Sequence, residues 1–276
     1  MITATETEPQ SKYARWNEKL NASWSSADYG RIGVTLQITG EDLAEDADFR
    51  PGAKILDVAA GNGNASLAFA RRFCSVTSTD YVPAMLDKGQ RRAEAEGLDI
   101  DFQLADAQNL PFSDDAFDGV VSTFGVMFAP DQKSAASELV RVCKPGGKIA
   151  LSCWTPSGFV GRVCAAIGRH MSASPGFHSP QNWGRQDWIK EHFGSACSAI
   201  SIDMKTYNFR YRSPEHYLDF FRTHYGICRK AFEFVGPTGE AALASDILEI
   251  ANEFNVADDD TMRAPSEYLQ ISMIKG

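Results

Sequence analysis

Three aspartates and a pair of glycines carry the chemistry that this 276-residue chain suggests. Asp57 closes the apolar run Ile55-Leu56-Asp57-Val58, and Gly61 and Gly63 follow at G-x-G spacing. A side chain in such a turn would block close approach of a ligand to the backbone. The helix expected next would offer free N–H groups at its N-terminus to a carboxylate or a phosphate. The glycine pattern is incomplete for a dinucleotide loop, because its last position is Ser66. A carboxylate at Asp57 would also repel a pyrophosphate, whereas it favours a cation. Asp80 stands at the end of the next apolar run, 19 residues after Gly61, where a carboxylate can accept both ribose hydroxyls. Asp106 ends a third run, and Thr123 and Phe124 end a fourth. In an open α/β sheet these strand ends converge on one crevice. Three acids there, with no Lys or Arg in the glycine turn, suit a positively charged nucleoside without phosphates.

The elements that must position these residues can be taken in order. Residues 1–11 read as lacking fixed structure, and Tyr13–Ala22 as a short helix with Trp16 and Leu20 on one face. Trp24 and Tyr29 follow in a Ser-rich loop, and residues 31–46 suggest a second helix. Strands are expected at 54–59, 75–80, 100–104, 117–124 and 148–154. Helices are expected at 67–72, 83–96 and 131–143, with Lys144–Gly147 as a tight turn. This alternation argues a mainly parallel, doubly wound sheet. Further on, helices are expected at 159–171 and 183–193, with a Ser- and Pro-rich loop between. A long strand at 198–211 changes the phase of its apolar alternation, which predicts a bulge between 204 and 207. A helical stretch at 214–256 and a last strand at 267–274 end the chain.

Composition sets bounds. A net charge of -9 disfavours nucleic acid and anionic membrane as partners. No apolar run approaches the roughly 20 residues of a membrane span, and the polar start is not a signal peptide. Six cysteines without a C-x-x-C pair or zinc spacing read as reduced thiols of a cytoplasmic protein that holds no metal.

Residues 54–154 resemble class I S-adenosylmethionine-dependent methyltransferases, in particular the ubiquinone/menaquinone-biosynthesis (methyltransferase type 11) group. Ile55 to Gly63 looks like the first motif, Asp80 the ribose-binding acid, and Ala105-Asp106-Ala107 the adenine segment. Leu110-Pro111-Phe112 and Phe117-Asp118 match the approach to the fourth strand, and Cys143-Lys144-Pro145-Gly146-Gly147 the L-K-P-G-G turn. Ala60 stands where many members have Cys. Val126-Met127-Phe128 stands where a Leu-His-His is common, which removes one possible catalytic histidine. The resemblance implies an α/β fold with a doubly wound, seven-stranded, mostly parallel sheet. The last two strands would form a hairpin carrying a helical substrate cap at about 212–265. Residues 1–47 would be an N-terminal helical arm and 48–276 the methyltransferase domain.

The implied cofactor is S-adenosyl-L-methionine, with S-adenosyl-L-homocysteine as product. Its expected contacts are Asp57, Ala59, Gly61, Gly63, Asp80, Tyr81, Asp106, Ala107 and Thr123, with Trp24 of the arm as a cover. The acceptor would be a small, largely apolar molecule bound by a monomer or homodimer. A hydroxyl or protonated amine acceptor needs a base. The candidates are His224 in the cap, then Tyr225 and Tyr29, while a carbon or soft nucleophile needs none. Two other readings are a noncatalytic cofactor-binding homologue and a nicotinamide-dependent oxidoreductase. Asp57 and Ser66 argue against the second.

Overall fold

The computed structural model describes residues 14–171 and 178–276, with side chains from Asn17 onward in the arm. The expectations for residues 1–11, for the side chain of Trp16 and for most of the 172–180 loop lie outside the described residues.

Seven strands form one sheet: β1 (Lys54–Val58), β2 (Ser75–Asp80), β3 (Ile100–Leu104), β4 (Phe117–Thr123), β5 (Cys143–Trp154), β6 (Cys197–Tyr211) and β7 (Met262–Lys275). Their order is β3-β2-β1-β4-β5-β7-β6, with β7 antiparallel to both neighbours and the other pairings parallel. Ile55 to Val58 are buried throughout, as a central parallel strand covered on both faces requires. The chain leaves β1 toward β2 on one side and returns to β4 on the other. That reversal opens a crevice at the carboxyl ends of β1 and β4.

The helices are α1 (Ala14–Ser25), α2 (Gly30–Gly33), α3 (Gln37–Ala47), α4 (Asn64–Arg71), α5 (Pro83–Glu96), α6 (Gln132–Val142), α7 (Phe159–His170), α8 (Gln186–Phe193), α9 (Pro214–His224) and α10 (Gly226–Phe254). Pro83 opens α5 in its first turn, where its missing N–H costs nothing. Asp131 caps α6 by accepting from the Ser134 N–H at 3.1 Å. Leu43, Ala44 and Ala47 of α3 pack with Phe69 of α4 and with Ile55 and Val76 of the sheet in a core of their own. Arg71 and Arg72 bind Glu41 and Glu45 across the same two helices.

Several expectations need correction. The single helix at 31–46 is α2, a 3-10 turn at Val34–Leu36 and α3. Gly33 lies against the Asn62 side chain there, where any Cβ would overlap it. The Thr35 carbonyl also turns out to accept from the Tyr207 hydroxyl at 2.6 Å. The helix at 183–193 is a 3-10 turn (Pro180–Gly184) followed by α8. Trp24 lies in the last turn of α1 and not in a loop.

Lys144–Gly147 belongs to β5. Between Phe117 and Gly119 on β4 the partner positions move from Cys143 to Lys148, so those residues form an irregularity within the strand. No bulge occurs between 204 and 207, because β6 and β7 keep register from Ala199 to Tyr211. The apolar phase changes for another reason. Ile200 and Ile202 on one face and Tyr207, Phe209 and Tyr211 on the other pack against the core, while Met204 between them is exposed. β7 begins earlier than expected, at Met262.

Residues 212–261 are an insertion between the adjacent strands β6 and β7. The helical stretch expected there breaks at Tyr225, between α9 and α10, and kinks at Gly236-Pro237. α10 packs against α7, α9 and α1. Gly226 lies so close to the Ser23 carbonyl that a Cβ would overlap it.

Candidate functional site

A cavity of about 970 Å3, counting its open mouth, lies over the crevice between β1 and β4. Five segments line it: the loop after β1, the ends of β2, β3 and β4, and the arm.

The loop after β1 is built around Asp57. This carboxylate is buried, and its Oδ2 accepts from the Ser66 N–H at 2.9 Å and the Ser66 hydroxyl at 2.6 Å. Asp57 therefore occupies the N-terminus of α4, which the glycine turn alone would suggest is open to a ligand anion. Ser66, out of place in a dinucleotide loop, is what holds Asp57 there. Gly61 and Gly63 both take positive φ, 58° and 83°, which a side chain would resist. Gly63 precedes α4 and does not line the cavity. Arg92 of α5 braces the turn from behind, donating to the Asn62 carbonyl at 2.7 Å and to Asn64 Oδ1 at 2.8 Å.

Asp80 is held on both oxygens. Oδ2 accepts from the Gly61 N–H and Oδ1 from the Val82 N–H, each at 2.9 Å. Asp106 accepts from the Gln108 N–H at 2.9 Å and from Asn17 Nδ2 of α1 at 2.7 Å. At the end of β4, Phe124 has a positive φ of 60° and stacks on Trp154, with centroids 3.9 Å apart and planes 6° apart. Ala59, at the end of β1, has a positive φ of 53°. Such residues persist where the surroundings over-determine them, and they gather at functional sites. Gly125 allows the two strand ends to meet, since a Cβ there would overlap the Ala59 carbonyl.

The arm roofs this floor. Asn17, Trp24, Tyr29, Gly33 and Leu36 line the cavity. Trp24 meets Tyr29, Phe128 and Tyr225 edge-on, with centroids 5.2, 5.1 and 5.5 Å away.

The electrostatics are those of a cation site. Burial pushes Asp57 up to about 7, against the pull of its Ser66 hydrogen bonds. Burial raises Asp80 to about 6, opposed by the N–H groups of Val82, Gly61 and Tyr81. Burial, aided by Asp80, lifts the Tyr29 hydroxyl to about 12. Among the described lining residues there is no Lys, Arg or His. Three buried side-chain atoms that belong to lining residues lack a hydrogen-bond partner: Asp57 Oδ1, Asn62 Nδ2 and Thr123 Oγ1. An acceptor and a donor left unpaired in one cavity fit an ammonium and a carboxylate on one ligand.

The cavity thus gathers Trp24, Tyr29, Asp57, Ala59, Gly61, Asp80, Tyr81, Asp106, Ala107 and Thr123. It does not gather His224 or Tyr225. His224 sits beside Phe220, centroids 4.7 Å apart, where burial and the nearby Arg31 hold its pKa below the usual value. Tyr225 is buried behind Trp24 and Tyr29, and burial drives its hydroxyl pKa far up. Sequence reasoning missed Asn17, Asn62, Gln108 and Arg92. Only the first left a signal: Asn17, Asn21 and Trp24 recur at i, i+4 and i+7, one face of a helix.

Fold and site together define an α/β protein with an acid-edged cavity where its strand order reverses, and comparison with known proteins narrows the class. A family model described as "Methyltransferase domain" matches residues 55–147. An uncharacterized protein of Mycobacterium tuberculosis (strain H37Rv) is 37% identical over 242 residues, 84% of this chain and 87% of its own. The demethylmenaquinone methyltransferase of Clavibacter sepedonicus is 37% identical over 131 residues, 46% of this chain and 53% of its own. The crystal structure of the YcgJ protein from Bacillus subtilis superposes with a TM-score of 0.57 at 18% identity, covering 86% of this chain and 98% of that one. The chain belongs to the class I S-adenosylmethionine-dependent methyltransferases.

Proposed function

We propose that this protein binds S-adenosylmethionine in the β1/β4 cavity and transfers its methyl group to a small, largely apolar acceptor. The observation that carries the reading is the trio of unpartnered buried atoms, Asp57 Oδ1, Asn62 Nδ2 and Thr123 Oγ1, in a cavity edged by Asp80 and Asp106. Asp57 would hold the ammonium and Asn62 the carboxylate of the amino-acid end. Asp80 would accept from the ribose hydroxyls, and Asp106 from the exocyclic amine of adenine.

The cofactor, when bound, supplies a methyl already activated on a sulfonium, so the chain's task is alignment and exclusion of water. Trp24, Tyr29, Leu36, Phe124 and Phe128 make the rest of the cavity apolar, which supports an apolar acceptor. The insertion would roof that end, as the contacts of Tyr225 with Trp24 and Tyr29 suggest. Tyr29 is the one expected base that lines the cavity, and a hydroxyl raised to about 12 keeps its proton at neutral pH. It serves better as a hydrogen-bond donor than as a base. The acceptor would then present a nucleophile that needs no enzymic base, such as an acidic enol carbon or a soft anion. Six unpaired cysteines suit a reducing compartment, so the reaction would be cytoplasmic.

Calorimetry with S-adenosylhomocysteine tests the cofactor. The ligand should bind, and Asp80→Ala should weaken it by about 1.5–3 kcal/mol, the scale of hydrogen bonds to a charged group. No heat at millimolar ligand with folded protein would end the reading. Binding without transfer to any acceptor in a panel would favour a noncatalytic homologue.

A further inference from the structure

Asn17 lies outside the span that the methyltransferase model matches, yet it reaches the acid at the end of β3. Its Nδ2 donates to Asp106 Oδ2 at 2.7 Å, and its Oδ1 accepts from Gln108 Nε2 at 2.9 Å. Gln108 Nε2 also lies 3.0 Å from Asp106 Oδ1, which closes a ring of three side chains. One turn along α1, Asn21 Nδ2 donates to the Tyr81 carbonyl at 2.8 Å, at the end of β2. The helix therefore straddles the ends of β2 and β3, gripping each through an asparagine amide. Asn17, Gln108 and Asp106 all line the cavity, and Trp24 on the same helix face covers it further along.

We propose that Asn17 is a positioning residue for the nucleobase: it fixes the Asp106 carboxylate and ties closure of α1 to occupancy of the base subsite. The inference rests on the cofactor reading above. A base whose exocyclic amine donates to Asp106 meets a carboxylate already oriented by Asn17 and by the Gln108 N–H. Through the shared acid it adds to the contacts holding α1 shut. A base with a carbonyl in place of that amine turns an acceptor toward the carboxylate and loosens the ring. Discrimination between the two and order in the arm should therefore change together.

The test uses the full chain with S-adenosylhomocysteine and its deaminated analogue S-inosylhomocysteine. Affinity is read by calorimetry, and amide hydrogen exchange is read over residues 14–25. The unaltered chain should prefer the adenine compound and slow its arm exchange with that compound alone. Asn17→Leu should weaken S-adenosylhomocysteine about tenfold or more, shrink the preference, and leave arm exchange fast with ligand present. Asn21→Ala removes a grip that does not touch Asp106, so it should keep both the preference and the slowing of arm exchange by S-adenosylhomocysteine, from a faster starting rate. If the leucine variant melts early, the near-isosteric Asn17→Asp serves instead: two facing carboxylates should give the same losses. Unchanged preference and unchanged protection in a folded Asn17 variant overturn the proposal and leave the cofactor reading standing. Failure of the unaltered chain to bind S-adenosylhomocysteine overturns both.

Discussion

At the residue scale, the site stores an electrostatic tension. Asp57 and Asp80 are buried carboxylates raised to about 7 and about 6, each from an ordinary 3.8. Their folded pKa values lie above the unfolded ones, so the unfolded chain releases its protons first as pH rises. The stability these groups contribute is full below about pH 4 and is lost as pH climbs through 6 to 7, at up to about 1.4 kcal/mol per pH unit for each group. A ligand that brings a cation and hydroxyl donors favours the ionised forms. Affinity for S-adenosylhomocysteine should therefore tighten from pH 5.5 to pH 8, and Asp57→Asn should flatten much of that dependence. The same variant should melt no lower than the unaltered protein at pH 8 in the absence of ligand, since it removes an unpaired buried charge. Calorimetry across pH, with thermal melts of both proteins, checks this. Equal affinity at both pH values in the unaltered protein would show that neither acid meets the ligand's charge.

At the element scale, the site depends on how closely the ends of β1 and β4 approach. Ala59 and Phe124 hold positive φ there, and Gly125 lies against the Ala59 carbonyl. Gly125 has no positive φ, so what matters is its missing side chain. Gly125→Ala should force the strand ends apart, destabilise the fold by about 1–3 kcal/mol, and weaken cofactor binding more than its distance from Asp80 and Asp106 would suggest. A denaturant titration reads the first effect and calorimetry the second. A variant with unaltered midpoint and affinity would show that the approach tolerates a methyl group. The packing of Phe124 on Trp154 makes the β4 end rigid, and its cost in backbone conformation is about 1–3 kcal/mol.

At the scale of the whole molecule, residues 14–47 are two things. α1 and α2 lie over the cavity, whereas α3 buries Leu43, Ala44 and Ala47 against α4 and the sheet. A chain beginning at Val34 should stay folded and lose cofactor affinity, while one beginning at Asp48 should lose the fold as well. Deleting α3 uncovers Phe69 and Ile55, and exposing one such side chain costs about 1.5–3 kcal/mol. Circular dichroism melts and calorimetry separate the two outcomes. A stable chain from Asp48 would mean that α3 is dispensable to that core. Among the described residues no helix is long and apolar enough to cross a membrane.

The sequence by itself determined the strand-and-helix alternation through Trp154 and the three strand-end acids. Those features are local: apolar period, glycine turns, Pro83 and the cap at Asp131 each act within a few residues. Helix α5 and strand β3 fall where their residues predict for that reason. Tertiary structure alone decided the rest. The phase change in β6 keeps the register because apolar residues on both of its faces are covered, a property of what packs on the strand and not of the strand itself. The broken 31–46 helix meets Asn62 and Tyr207, partners distant in sequence. Asp57 takes the α4 N-terminus only once β1 and α4 are packed together. His224 stands outside the cavity while Phe221 on its helix and Tyr225 just past the helix end are buried, and Asn17 becomes part of the site because α1 crosses the ends of β2 and β3. Residue types name the groups able to do chemistry, but burial and long-range contact decide which of them meet, since desolvation and hydrogen bonding act over a few ångströms of space and not along the chain.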